Sequence, residues 1–303
     1  MTKDSLGQLS LFFEEKPSYK PVTSSKSFPI VEVFGFPYGN ESPEAVRCRS
    51  QYRCPFIGAR CVKGGHDIDI PLGTCGVHSK YGSIITCPQR FYGDHYRLLD
   101  QVATHLVGED SSTVRIPEVG PGVTYSLDWI VATYDEHLQL LDYHGIEVQA
   151  IDITGSVRPY FEAYMSGHAW EEIEHRYGIN WANVYKRMLP QLLAKGAMLA
   201  SYGKKLAVII QDQLLAYVGR TGRMDIELEE DAALVNLIFF SYRLHFRTDA
   251  NVYKLELNRI IHTSSRKLEA AFIAGLIGPR MPPKEEFDRI VADKMIEAIN
   301  SQI

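Results

Sequence analysis

All five cysteines of this 303-residue chain fall between positions 48 and 87, and none follows in the remaining two hundred and more. That confinement restricts the possible folds more than any other feature. The segment around them, residues 43–90, is rich in glycine, proline and turn-forming residues and has little hydrophobic periodicity. Such a stretch builds little core of its own and suits a metal staple. Buried free thiols are common one at a time. Five within forty residues, in a chain whose N-terminus is too acidic for a secretory leader, read instead as metal ligands. Between Cys54, Cys61, Cys75 and Cys87 lie six, thirteen and eleven residues, so no CxxC knuckle is present and the spacing is not that of a standard zinc ribbon. Tetrahedral sulfur ligation suits zinc or iron. Cys48 is a fifth candidate, His66 and His78 are possible substitutes, and the spacing alone does not choose among them.

The rest of the chain reads as globular. Hydrophobic residues make up 45% and charged residues 23%, which excludes global disorder. No apolar run approaches the ~20 residues of a membrane span, and a cytoplasmic location is expected. The net charge of −5 argues against nonspecific coating of nucleic acid, but not against a locally basic cleft. Residues 1–27 read as a flexible arm and 28–90 as a cysteine-rich module carrying Arg47, Arg49, Arg53, Arg60, Lys63, Lys80 and Arg90. Residues 91–303 read as the main domain. Within it, Tyr92, Tyr96, Leu99 and Val102 mark an amphipathic helix that stops at Gly108. Strand-like segments follow at 111–120, 123–135 and 143–155. A helix over 180–202 comes next, capped by Asn180 and kinked at Pro190, then a strand at 204–212. A strand pair and two helices complete the chain.

Acidic residues interrupt two of those strands. Asp128 sits in the apolar run SLDWIVA, and Glu147 and Gln149 sit in IEVQAI. Alternation puts Glu147 and Gln149 on one strand face. If the strands pair, Asp128 meets Glu147, and the two carboxylates with the carbonyl after Glu147 form a hard-oxygen site for Mg2+. Acids in strands can also simply face solvent. Here both are flanked by apolar residues, on consecutive strands of a helix–strand–strand–strand–helix–strand order. That order resembles the PD-(D/E)xK nuclease core, with Gln149 in the lysine position. An amide can orient a water but supplies no charge. Asn183, Lys186, Arg187 and Gln191 on the following helix are candidates to supply what is missing, or an ordinary solvated face. Glu118, on the preceding strand, is a possible auxiliary carboxylate. Asp152, at odd spacing from Glu147, is read as structural.

Taken together, CPF at Cys54, CVK at Cys61, GTCGV at Cys75, CPQR ending at Arg90, YSLDW at Asp128, HGIEVQAIDITGS at Glu147 and NVYKRMLPQ at Asn183 resemble the NotI restriction endonuclease family over roughly residues 30–212. The resemblance implies an α/β fold with a PD-(D/E)xK core, its mixed central sheet flanked by helices, and a small four-cysteine module before it. It implies a homodimeric type II enzyme that cuts double-stranded DNA at a GC-rich palindrome containing GGCC, with Mg2+ and without a nucleotide cofactor or a membrane. It places a structural iron, with zinc as the alternative metal, on Cys54, Cys61, Cys75 and Cys87, leaving Cys48 out. It places catalysis on Asp128 and Glu147, which hold Mg2+, and on Gln149. Lys186 or Arg187 is expected at the phosphate, and Gln89 and Arg90 at base edges. Tyr125, opposite Asp128 by alternation, is not expected on DNA.

Three other readings use the same residues. A metal-stapled DNA-binding regulator would need the cysteines and basic loop but neither acid. A low-specificity repair nuclease would keep the acids without site recognition. A redox protein is disfavoured by the cysteine spacing.

Overall fold

The structure, a computed structural model, describes residues 27–64, 69–109, 111–119, 126–222, 228–277 and 283–300. The expected arm at 1–27, His66 and Tyr125 thus lie outside the described residues, apart from the arm's last residue. In chain order, the cysteine-bearing segment contains β1 (Ile30–Val33), β2 (Phe36–Pro37), α1 (Pro43–Ser50), β3 (Arg53–Cys54), β4 (Ala59–Arg60), β5 (Thr74–Ser79) and β6 (Gly82–Ile85). After a 3-10 turn at Pro88–Tyr92 come α2 (Gly93–Val107), β7 (Thr113–Val119), β8 (Leu127–Tyr134) and β9 (Leu140–Gln149). Then follow β10 (Ile153–Gly155), α3 (Arg158–Ser166) and β11 (Tyr177–Ile179). A π-helical turn at Val184–Met188 leads into α4 (Leu189–Ser201), β12 (Leu206–Gln211), α5 (Asp212–Gly222), β13 (Leu237–Arg247) and β14 (Val252–Thr263). The helices α6 (Ser265–Ile277) and α7 (Lys284–Asn300) end the described chain. No helix among the described residues is long and apolar enough to cross a membrane.

The chain divides into two compact units. The first takes in the described residues of 1–90, 152–179 and 246–253. Its sheet has the order β2-β1-β5-β6, and β3–β4 and β10–β11 form separate two-stranded pairs. Ser42 caps α1 through Ala45 N–H, with Pro43 in the first turn where its missing donor costs nothing. The Tyr177 hydroxyl donates to the carbonyls of His78 (2.6 Å) and Pro29 (3.2 Å), tying β11 to the sheet. Glu32 and Arg90 form a buried ion pair at 2.7 Å, and Arg90 also donates to Tyr253 O and stacks over Phe56. Arg90→Ala would strand a buried carboxylate, so it is expected to destabilise by about 3–5 kcal/mol, read from denaturant midpoints.

The second unit is a mixed α/β assembly around a six-stranded sheet of order β14-β13-β12-β9-β8-β7. β7, β8 and β9 run antiparallel, whereas β12 is parallel to both β9 and β13. β12 is buried along its whole length, which is why LAVIIQ reads as a continuous apolar run. Helices flank both faces. α4 packs against the face that carries Gly145, where a β-carbon would lie 2.6 Å from Leu199 Cδ1, so glycine permits the close approach. On the other face the Tyr242 hydroxyl donates to Gln101 of α2 at 3.4 Å.

Several sequence expectations shift. The third strand starts earlier and ends earlier than 143–155. It is primed by the turn at Asp135, whose Oδ1 accepts from His137 and Gln139 N–H, and β10 is a separate element. Asp152 therefore follows the strand at an exposed position, and strict alternation does not extend to it. Asn180 does not cap a helix with its side chain; its carbonyl accepts from Asn183 N–H in a turn. The helix is interrupted where Pro190 was expected to kink it, with a π-helical turn ending at Met188 and Pro190 in the first turn of α4. α2 is regular only after Tyr96, because Asp94, His95 and Tyr96 are left-handed (φ 54°, 55° and 66°).

Candidate active site and cysteine cavity

The β8–β9 ladder fixes the acid pair. Trp129 opposes Ile146, so one step further along the register places Asp128 opposite Glu147. At that step side chains replace the backbone ladder. Asp128 Oδ2 accepts from Val148 N–H at 2.8 Å, and Glu147 Oε1 accepts from Asp128 N–H at 3.3 Å. The strands part here without leaving donors orphaned, and both carboxylates are pinned to the opposing backbone. Gln149 Nε2 reaches Glu147 Oε2 at 3.5 Å, as expected of neighbours on one strand face. On β7, Pro117 opposes Trp129 and Val119 opposes Leu127, which puts Glu118 beside Asp128 with a left-handed backbone (φ 49°).

Electrostatics make this an unusual place for two acids. Burial and the charge of Asp128 push the Glu147 carboxyl up to about 7, against the opposing pull of Lys195. Burial also raises Asp128, with a smaller push from the Glu118 charge, while the Val148 amide and Lys195 pull it down. Tyr92, which packs edge-on to Trp129, has its hydroxyl raised chiefly by burial and also by the two carboxylates. A buried carboxyl and a half-buried one thus sit beside one cation, and their oxygens are the hard donors that a divalent metal takes.

That cation is Lys195. Its Nζ lies 2.7 Å from Glu147 Oε1, and the residue is 8% exposed. Sequence reasoning passed over it in favour of Lys186 and Arg187, which are exposed on the π-helical turn. A signal was present: Lys195 falls on the buried stripe Leu192, Lys195, Leu199, a lysine at a core position of an amphipathic helix.

In the first unit, Cys54, Cys61, Cys75 and Cys87 line one small cavity together with Phe34, Lys63, Gly73 and Gln89. Cys48, buried on α1, is not among its lining residues. Cys54 ends β3, Cys61 follows β4, Cys75 is the second residue of β5, and Cys87 comes two residues after β6. Burial raises all four thiols, Cys75 most clearly and Cys54 to about 11. Backbone amides oppose this at three of them: Phe56 and Ile57 donate to Cys54, Lys63 to Cys61, and Gln89 and Arg90 to Cys87. Amides aimed at sulfur favour thiolate over thiol, which is what a metal ligand requires. Among the described residues, no three His, Cys, Asp or Glu side chains are drawn into a ligating arrangement. His78 does not line the cavity and sits 3.4 Å from Ser83 Oγ.

Gln89 is half-buried at that cavity. Arg90, expected at a base edge, is instead 6% exposed and engaged by Glu32 and the Tyr253 carbonyl. Its guanidinium is not presented to a DNA surface in this conformation.

A search of curated proteins found no match. The family described as restriction endonuclease NotI matches residues 43–255, a span that takes in the four cavity cysteines, the acid pair and Lys195. The chain belongs to the NotI restriction endonuclease family.

Proposed function

We propose that this protein is a Mg2+-dependent type II restriction endonuclease that hydrolyses both strands of double-stranded DNA at a GC-rich palindrome. The observation that carries the reading is the Asp128–Glu147 pair, with Glu147 buried and Asp128 half-buried, pinned across β8 and β9, and joined by Lys195. The β7–β8–β9–α4–β12 order around it supports a PD-(D/E)xK core. Asp128, Glu147 and the Val148 carbonyl would hold the Mg2+, with Glu118 as an auxiliary carboxylate. When bound, that ion supplies an acidic water and neutralises charge on the phosphate. Gln149, held beside Glu147, orients the attacking water through its amide. Lys195 provides the positive charge that Gln149 lacks and opposes the upward shift of both carboxyls. Lys186 and Arg187 are assigned to phosphate contacts and Gln89 to a base contact.

The four-cysteine cavity is assigned a structural role. Cys54, Cys61, Cys75 and Cys87 would hold iron, or zinc, and so fix the short strands and loops of residues 28–90. Residues 91–303 carry the nuclease domain in this reading, apart from 152–179 and 246–253, which belong to the first unit. The GGCC core of the target and a homodimeric assembly follow from the family resemblance.

Two variants test the proposal. Asp128→Ala is expected to bind the target duplex in a gel-shift assay and to leave it uncut. A wild type that binds DNA and cuts under no divalent metal would favour the regulator reading. Lys195→Met is expected to lower the cleavage rate by about a hundredfold with DNA affinity little changed, measured by single-turnover kinetics. An unchanged rate would remove Lys195 from the mechanism.

A further inference from the structure

A second polar cluster in the same unit has no part in the acid pair. Asp212 follows β12 at the first position of α5 and is 7% exposed. Its Oδ1 accepts from Ser241 Oγ (3.0 Å) and Asn258 Nδ2 (3.0 Å), and lies 3.3 Å from Arg259 Nη2. Its Oδ2 accepts from Arg243 Nε (3.2 Å) and Nη2 (3.1 Å). One carboxylate thus gathers two guanidiniums and leaves a net positive charge. Among the described residues no other acid pairs with either arginine. The Asp212 side chain is 9% exposed, whereas those of Arg243 and Arg259 are 45% and 42% exposed, so the cations project from a buried anchor.

The register says where Arg243 projects. Ile210 is aligned with Gln149 on one side and Ser241 on the other. Ser241, and Arg243 two residues further, therefore share the sheet face of Glu147 and Gln149. Two strand spacings separate Gln149 from Ser241, about 10 Å. The cluster lies at the carboxyl ends of the parallel strands, where open α/β sheets bind their ligands. Two like charges held together with solvent-facing edges suit an anion, and a guanidinium fork matches phosphate oxygens.

We propose that Arg243 and Arg259 form a clamp for a backbone phosphate of the DNA strand that runs past the acid pair, with Asp212 as its positioning residue. The inference rests on the nuclease reading and adds a second contact point to it, about three nucleotides of axial rise away.

The test is a salt titration of duplex binding in EDTA, using one duplex that the wild type cuts in Mg2+ and one unrelated duplex. Arg243→Ala and Arg259→Ala are each expected to weaken both duplexes about equally, roughly tenfold, and to reduce the salt slope by about one. Asp212→Asn raises the net charge. Simple electrostatics would tighten binding, whereas loss of the positioning anchor weakens it, and weakening is the expected result. Thermal melting checks that each variant is folded, and the half-exposed arginines decide the matter if Asp212→Asn is not. Arginine variants that bind like wild type with an unchanged slope overturn the clamp and leave the nuclease reading intact. A loss confined to the cognate duplex also overturns it, in favour of a base contact. A wild type that neither binds nor cuts any duplex overturns both.

Discussion

Glu147→Gln is expected to reduce DNA cleavage by at least about a thousandfold, or about 4 kcal/mol of transition-state stabilisation, while leaving the fold as stable as wild type or slightly more so. The two effects have opposite signs because, in the proposed reading, the residue is placed for chemistry at the expense of stability. Glu147 sits against Asp128, and burial together with that neighbouring charge pushes its carboxyl up to about 7. An amide removes the repulsion, yet its oxygen can still accept from Lys195 Nζ and from the Asp128 amide, as Oε1 does now. Glu147→Ala differs: it strands the buried Lys195 and should cost about 3–5 kcal/mol. Single-turnover cleavage and thermal melting of the two variants separate these contributions. A Gln variant that cuts within tenfold of wild type would mean that the acid pair is not the reacting centre.

Cys75→Ser and Cys87→Ser are expected to have the largest effect on stability. Structural zinc–thiolate sites contribute about 10–16 kcal/mol in small peptides, as much as the whole stability of an ordinary domain. In the proposed reading the first unit depends on such a contribution, because five of its described strands have only two or three residues. Either variant should lose the bound metal and the early part of the melting transition, and a strong chelator should do the same to wild type. Cys48→Ser is the control and should retain metal, since Cys48 does not line the cavity. Metal content and melting curves read both outcomes. Full stability and metal content in Cys75→Ser would contradict a four-cysteine site.

The parts of the site legible in the sequence were those governed by short periods. Asp128 and Glu147 stand inside apolar strands, and a period of two is enough to place Glu147 with Gln149 and to bring Asp128 opposite once the strands pair. Lys195 was hidden because it reaches the site from a helix far along the chain, on a stripe that reads as ordinary core. Arg90 misled for the reverse reason. A basic residue in a loop beside cysteines looks solvent-facing, and only its partner Glu32, fifty-eight residues away, shows that it is buried. The sheet of the first unit was likewise obscure. Its strands are short, and β10, α3 and β11 come from a distant stretch of the chain. The Asp212 cluster depends on β12, β13 and β14 meeting, which no local pattern announces.

The most direct test is incubation of the purified protein with a sequenced GC-rich plasmid, in Mg2+ and in EDTA, with the products resolved on a gel and their ends sequenced. The account predicts discrete fragments in Mg2+ alone, all ending at one palindrome. A smear would retain the acid pair but discard site specificity. An intact plasmid in Mg2+, with the cysteine metal shown to be present, would contradict the catalytic assignment of Asp128 and Glu147.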